Sequence, residues 1–591
     1  GNDRDWVLEC TLGRFGGAGG ATANAFVTVG GDASPAGTIG LGAFFDQSRL
    51  EVRELGTGAV SQTAGVAFPA TGEVPIRIRY DAAESTLTLR WGTESVVHVL
   101  SPTWTAAYPS VTHLGHAVVA TDARFSPIRR IEDRSAPLDE RSWSTSRMAR
   151  DYAPGDFDVN GRFLGGTEAI SFIVHQGAIY AGVGYWNDVF FGAGSPDPHP
   201  GAQILVKASA DAPWREEVSF GADHLRIEAM RSVVLTTDRF GSALDPPVEL
   251  LLAGSGELPT VGPLRRPVVW MRAGGAGPWT ATYPAAPAPG SRTTRSLADH
   301  VDRITGVHSV FVGFGSASSE LVRGGYDAGT GLIVWEPTPE LVGTERILSA
   351  GALNGALYAC VGSNGIDVGG IFWREDGPSP PWHFVHEFPV GPANHDIRGF
   401  SAVPHPSGFD LDVALVTVES ERRIFTIDPI GGSPRNGHRV TVELDLPQFL
   451  GDVWAGGAPL EGPALSAYND MPRLVDEQKR RVVHLIGLGV RHPAGPGTVE
   501  GEAAHLLVRH LDGRYEVGSV IDPSEPFPNP GADGLRATRA LVLSPFPEEE
   551  GRVLYLGGFD AFSQTGPVYH DTAWIYRAGI PLADRDAPAA R

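Results

Sequence analysis

A unit of four short strands recurs through the last three quarters of this chain, and nothing else in the sequence narrows the possible folds as far. Its clearest copy is RILSAGALNGALYACVG, Arg346 to Gly362, two apolar runs joined by Asn354-Gly355. Asn-Gly between β-like runs marks a tight hairpin, because both turn positions take positive φ. The second strands align at YAGVG (180–184), LLAGSG (251–256), VFVGFG (310–315), LYACVG (357–362), HLIGLG (484–489) and LYLGGF (554–559), with VALVTV (413–418) between them. The first strands align at TEAIS (from Thr167), RIEAM (Arg226), RSLAD (Arg295), RILSA (Arg346), RGFSA (Arg398), PALSA (Pro463) and RATRA (Arg536). A third strand follows each pair, then a fourth that opens on an aromatic, as in ILVKASADAPW (204–214) and IFWREDGPSPPW (371–382).

Units of roughly 50–70 residues with four short strands each are the mark of a β-propeller. One blade cannot bury both its faces alone, whereas a closed circle of blades hides every face. The pattern predicts a seven-bladed propeller over residues 156–580. Its last unit stops at a third strand, DTAWIYRAG (571–579), so the missing fourth strand is expected from within Asp151 to Leu164.

Composition agrees with an all-β chain of more than one domain. It has 591 residues, 75 Gly and 47 Pro, and no long stretch with a 3.6-residue period. A formal charge of −22 argues against a nucleic-acid or anionic-membrane surface as partner. No run of eighteen apolar residues is present, so no membrane span is expected. Cys10 and Cys360, the only two cysteines, lie on apolar strands of different domains and are expected as buried thiols. The chain opens directly on a strand, as a mature secreted protein would.

Residues 1–135 lack the blade pattern and read as strands of a β-sandwich: DWVLECTL, AFVTVGG, TIGLGAFF, RLEVREL, SVVHVL and the hairpin PIRIRYDAAESTLTLRW. Their length and order resemble the jelly-roll sandwich of the concanavalin and laminin-G type, often attached to carbohydrate-active or extracellular proteins. The resemblance implies either a sugar-binding face or a packing domain. Residues 136–155 form a charged connector, and residues 581–591 read as a disordered tail.

Three groups of residues bear on chemistry. Arg226, Arg295, Arg346, Arg398 and Arg536 share one position of the inner strands, so a propeller makes them a ring about its channel. Such a ring grips carboxylate or sulfate groups bidentately, or it pairs with acids on neighbouring blades. The loops that share the channel mouth carry the candidate catalytic residues Asp188, His300, His395, Asp396, Tyr468 and Asp470, with Trp186 as a sugar platform. Two carboxylates suit glycoside hydrolysis; a Tyr or His base beside an arginine suits β-elimination from a uronate. Finally, DFDVNGR places Asp156, Asp158 and Asn160 at the spacing of the front half of a calcium loop. Position twelve is Thr167, so Ca2+ competes there with a simple Asx turn, and no other cofactor is expected. GYDAGTGLIVW (325–335) resembles the tryptophan-docking repeat of quinoprotein propellers, but it occurs once and implies blade packing only.

A sandwich followed by a propeller resembles the secreted carbohydrate-active enzymes of bacteria. That resemblance implies an extracellular or periplasmic glycoside hydrolase or polysaccharide lyase, acting on an anionic or furanose-rich polysaccharide at the propeller axis. The rival is a non-catalytic propeller scaffold holding a glycan or protein, and a sugar-oxidising propeller ranks last.

Overall fold

The computed structural model describes the strands within residues 6–127 and most of 148–185, 201–257, 264–362, 369–388, 397–405, 412–459, 464–466, 471–476, 481–490, 504–519, 536–549 and 553–579. The chain forms two compact units. The first holds residues 1–132 together with Pro429–Gly437, and the second holds 133–428 and 438–591. The short segment Pro429–Gly437, nested within the propeller repeats, thus belongs with the first unit, which its sequence did not announce.

The first unit contains two five-stranded antiparallel sheets. One runs in the order 118–127, 6–14, 72–81, 86–91, 94–99; the other runs 60–65, 49–54, 38–44, 24–31, 107–114. The hairpin expected in PIRIRYDAAESTLTLRW pairs Asp81 with Thr86 and Tyr80 with Leu87. Alternation along a half-buried strand sends neighbouring side chains to opposite faces. Leu89 and Val96 accordingly face each other in the core while Val97 is exposed.

The second unit is a propeller of seven blades, each antiparallel from its inner to its outer strand. The inner strands are Glu168–His175, Ala229–Thr237, Thr294–Val301, Ile347–Leu353, Ile397–Pro404, Ala464–Ser466 and Arg536–Leu543 for blades 1 to 7. Hairpins join them to the second strands as the sequence predicts. Asn354 and Gly355 take φ of 49° and 77°, and Gln176 and Gly177 repeat this turn in blade 1. Each interface between blades has its own apolar cluster. Tyr180, Ile204 and Val206 of blade 1 meet Ile227, Met230 and Leu251 of blade 2. At the far end of the series, Tyr555, Ala573 and Ile575 of blade 7 meet Ala169, Phe172 and Leu205 of blade 1. That last cluster closes the circle. Trp335, from the docking-like motif, packs against blade 2 and donates its indole N–H to Thr282 Oγ1 at 3.0 Å.

Blade 7 has only three strands from the C-terminal end of the chain, and its fourth is Met148–Tyr152, paired antiparallel with Ala573–Gly579. This strand begins three residues before the expected window and takes part of the segment read as a connector. Residues 581–591 lie outside the described residues.

The repeated glycine of the second strands has a steric cause. A Cβ on Gly182 would meet Ile227 Cγ2 at 2.7 Å, and one on Gly313 would meet Ile347 Cγ2 and carbonyl oxygen at 2.8 Å. Ile227 and Ile347 both belong to the next blade, so the glycines let its inner strand press close. Gly313→Ala is expected to lower stability by about 1–3 kcal/mol through overpacking, read as a shift of the urea midpoint. In blade 4 the same place holds Cys360, a buried free thiol that burial pushes up to about 12 and out of reach of ordinary thiol chemistry.

Candidate functional site: a charged girdle at one end of the channel

The inner strands start with a register shift that aims one residue out of the ladder. The shift leaves Ile170 unpaired in blade 1, Arg295 in blade 3, Leu348 in blade 4, Arg398 in blade 5 and Arg539 in blade 7. Bulges of this kind bend a strand and re-aim its side chain. Glu228 takes this height in blade 2, its N–H donating to the Gly254 carbonyl at 2.9 Å.

These residues form a ladder of alternating charge across four successive blades. Arg539 of blade 7 lies 3.9 Å from Glu168 of blade 1, and Glu168 is also paired with Arg226. Arg226 Nε lies 3.3 Å from Glu228, whose other oxygen is paired with Arg295 of blade 3. All five side chains are at most 8% exposed, so little solvent screens them. Arg398 of blade 5 pairs with Glu419 at the end of the adjacent strand. Arg346 lies half-buried at the start of blade 4.

Burial and charge together set the titration of this girdle. Burial pushes the Glu228 carboxyl up, but the Arg226 and Arg295 guanidiniums outweigh it and hold the group below its ordinary 4.5. Arg226 is pushed down to about 10, first by burial and then by Arg295 and Arg539, against the opposing pull of Glu228. Arg265 is lowered as well, by burial and by Arg295. The guanidiniums therefore raise one another's electrostatic cost at this end of the channel.

Below the girdle, Ile170 and Leu348 pack on each other from blades 1 and 4, across the axis. Ile170 also lines a small cavity of about 50 Å³, walled by inner-strand residues of six blades that include Ser171, Met230, Ser296 and Phe400. Its one charged wall residue, Arg231, is paired with Asp299 at 2.8 Å.

Of the arginines singled out in the sequence, Arg226, Arg295 and Arg398 are brought to this girdle with their carboxylate partners, and Arg346 starts the inner strand between them. The side chain of Arg536 lies outside the described residues, as do Trp186, Asp188, His395, Asp396, Tyr468 and Asp470. Arg539, three residues beyond Arg536, is the blade 7 member of the girdle, and Glu168 and Glu419 are its further carboxylates. His300 lies at the opposite end of the blade 3 inner strand, about 17 Å from Arg295 at 3.3 Å per residue, where its Nε2 meets Asp376 at 2.7 Å.

Asp158 Oδ1 accepts the N–H groups of Asn160 and Arg162 at 2.8 and 2.9 Å, and Oδ2 accepts that of Glu216 at 3.1 Å. Burial raises this carboxyl and the three amides outweigh it, so the group stays ionised as the anchor of an Asx turn. Asn160 is exposed, and the Asp156 side chain is outside the described residues. Among the described residues no three His, Cys, Asp or Glu side chains are grouped to hold a metal ion. No described helix is long and apolar enough to cross a membrane.

No protein-family model and no curated protein matches this chain. Several solved structures resemble it. The NanB sialidase of Streptococcus pneumoniae is 10% identical, over 98% of this chain and 95% of that one, with a TM-score of 0.32. A leech intramolecular trans-sialidase complexed with 2,7-anhydro-Neu5Ac is 9% identical, over 98% and 94%, with a TM-score of 0.34. The GH93 α-L-arabinofuranosidase of Fusarium graminearum, complexed with arabinobiose, is 12% identical, over 62% and 98%, with a TM-score of 0.34. These neighbours are glycoside hydrolases, but at such TM-scores the likeness assigns nothing to this chain, and what it binds must be read from its own residues.

Proposed function

We propose that this chain binds an anionic polysaccharide at the arginine end of its propeller channel and cleaves it there. The observation that carries the reading is the convergence of Arg226, Arg295, Arg398 and Arg539 from four blades at one end of one channel. Burial and mutual repulsion lower Arg226, and an entering carboxylate would relieve that repulsion while accepting paired N–H donors.

Between the two chemistries open to such a substrate, elimination suits these residues better than hydrolysis. Hydrolysis needs a carboxyl held protonated to donate to the leaving oxygen. Glu228 is held low, and Glu168 is engaged by two arginines. Elimination instead asks guanidiniums to neutralise a uronate carboxylate, so that the neighbouring carbon gives up its proton to a base, a C=C bond forms as the glycosidic C–O bond breaks, and the leaving oxygen takes a proton. The candidate bases are His395 and Tyr468, with Asp188, Asp396 and Asp470 as further candidates, all read from the sequence. The sandwich unit serves as an accessory glycan-binding domain, and such a substrate implies an extracellular or periplasmic setting.

One observation favours a second reading, a binding propeller without catalysis: Glu168, Glu228 and Glu419 are all paired with arginines of the chain itself. A panel of uronate-containing and neutral polysaccharides, followed for absorbance of unsaturated uronates and for new reducing ends, separates the readings. Absorbance on uronates alone is expected. Reducing ends without absorbance would replace elimination by hydrolysis, and binding with neither would leave the scaffold. The double variant Arg346→Ala, Arg398→Ala is expected to weaken uronate-polymer binding by about tenfold or more, since hydrogen bonds to charged groups contribute about 1.5–3 kcal/mol each. Unchanged affinity in the folded double variant would remove the girdle from the site.

A further inference from the structure

A second cavity, of about 210 Å³, opens at the other end of the blades from the girdle. Its walls come from the hairpin turn of blade 2 (Arg239), from blade 3 (His300, Asp302, Ser309, Arg323, Glu336) and from blade 4 (Arg374). That volume is below the roughly 300–1,000 Å³ of pockets for drug-sized ligands, so it suits only a smaller molecule. The proposed function makes no use of it.

Most of its charged groups are committed to holding the blades together. Arg374, 1% exposed, grips Glu340 through two bonds of 2.6 and 3.1 Å and lies 3.3 Å from Asp302. Asp302 takes the N–H groups of Ile304, Thr305 and Gly377 at 2.7–3.0 Å. His300 is held by Asp376, and Arg323 lies 3.2 Å from Glu340. Two groups are different. Among the described residues neither the guanidinium of Arg239 nor the carboxylate of Glu336 makes an ion pair or a side-chain hydrogen bond, yet both line the cavity.

Arg239 is also placed, not merely exposed. Its N–H donates to the Tyr326 carbonyl at 2.7 Å. Asp238 fixes the turn by accepting the N–H groups of Phe240 and Ser242 at 2.9 and 2.8 Å. Gly325 admits this contact, since a Cβ there would sit 2.7 Å from that of Arg239. These contacts fix the backbone that carries Arg239, whose guanidinium lies 5.0 Å from the Phe240 ring.

We infer that this cavity binds a small hydroxylated carboxylate of the sugar-acid class, its carboxylate on Arg239 and its hydroxyls on Glu336 and Ser309. A bare anion fits poorly, because Glu336 repels it without a hydroxyl donor to satisfy the carboxylate. A neutral sugar fits poorly because it leaves Arg239 without a counter-charge. The inference does not depend on the girdle's reading, and the test keeps the two apart.

Isothermal titration of the full chain with D-glucuronate, acetate and glucose as probes reads the site directly. Glucuronate is expected to bind at least about tenfold more tightly than acetate or glucose. Arg239→Gln should lose about tenfold or more of that affinity, and Glu336→Gln should shrink the preference for glucuronate over acetate. Arg346→Ala, outside this cavity, should leave intact the component of glucuronate binding that Arg239→Gln removes, whatever the girdle itself contributes. Equal affinity for acetate or glucose, unchanged binding in folded Arg239→Gln, or a loss confined to Arg346→Ala would each overturn the inference.

Discussion

Glu228→Ala should cost this protein about 3–5 kcal/mol of stability, because it removes the carboxylate shared by two buried guanidiniums. Arg226 and Arg295 lie on neighbouring blades and both pair with Glu228, itself 3% exposed. Without it, two like charges remain buried with less to balance them. Glu228→Gln keeps the shape and some hydrogen bonding, so it should cost less. The pH dependence provides a second check. The Glu228 carboxyl is held below its ordinary 4.5 in the folded chain. Its contribution is therefore complete above about pH 4.5 and is lost as pH falls through the lower folded value. Urea midpoints from pH 7 to pH 3 should show wild type and Glu228→Gln converging below pH 4.5. Parallel curves across that range would mean that the ion pairs add nothing to folding.

The girdle also shows how far residue patterns reach. An arginine three or four residues before an alanine at the start of the inner strands marked five blades, and Arg226, Arg295 and Arg398 from that set lie at one end of the channel. The glycine near the end of several second strands coincides with a close approach of the next blade, as Gly182 and Gly313 show. What the pattern did not carry is the bulge. An extra residue in one strand leaves composition and period almost unchanged, yet it advances the aimed side chain along the chain. In blades 3 and 5 the bulge falls on the aligned arginines Arg295 and Arg398, whereas in blade 7 it falls on Arg539, three residues beyond Arg536. The partner acids were hidden for another reason: Glu168 precedes an inner strand and Glu419 follows a second strand, so no fixed spacing links either to its arginine. His300 shared a blade with Arg295 and was grouped with the channel mouth. An inner strand carries two ends, and five residues of extended chain separate them.

The seventh blade's borrowed strand offers the other large effect. Met148–Tyr152 reads MARDY, too short and too polar to be recognised as a strand, because its fit lies in contacts to two blades at once. Tyr152, 5% exposed, packs in the cluster that joins blades 7 and 1, and its hydroxyl donates to the Gly165 carbonyl at 2.9 Å. Asp151 accepts the Trp214 indole N–H of blade 1 at 2.7 Å and lies 3.2 Å from Lys207. Arg150 reaches the Tyr576 hydroxyl of blade 7 at 3.2 Å. The strand is thus a clasp between the first and last blades, and loosening it opens the outer edge of blade 7 and frees its side-chain contacts to blade 1 together. Tyr152→Ala is expected to cost about 3–5 kcal/mol, the usual range for a buried aromatic, and to speed proteolysis near the clasp. Tyr152→Phe should cost only about 1 kcal/mol for its single hydrogen bond. Phe384→Ala, on the outer strand of blade 4 and 50% exposed, gives the comparison for an ordinary blade edge. If Tyr152→Ala is no less stable and no more protease-sensitive than Phe384→Ala, the ring does not depend on this strand for its closure.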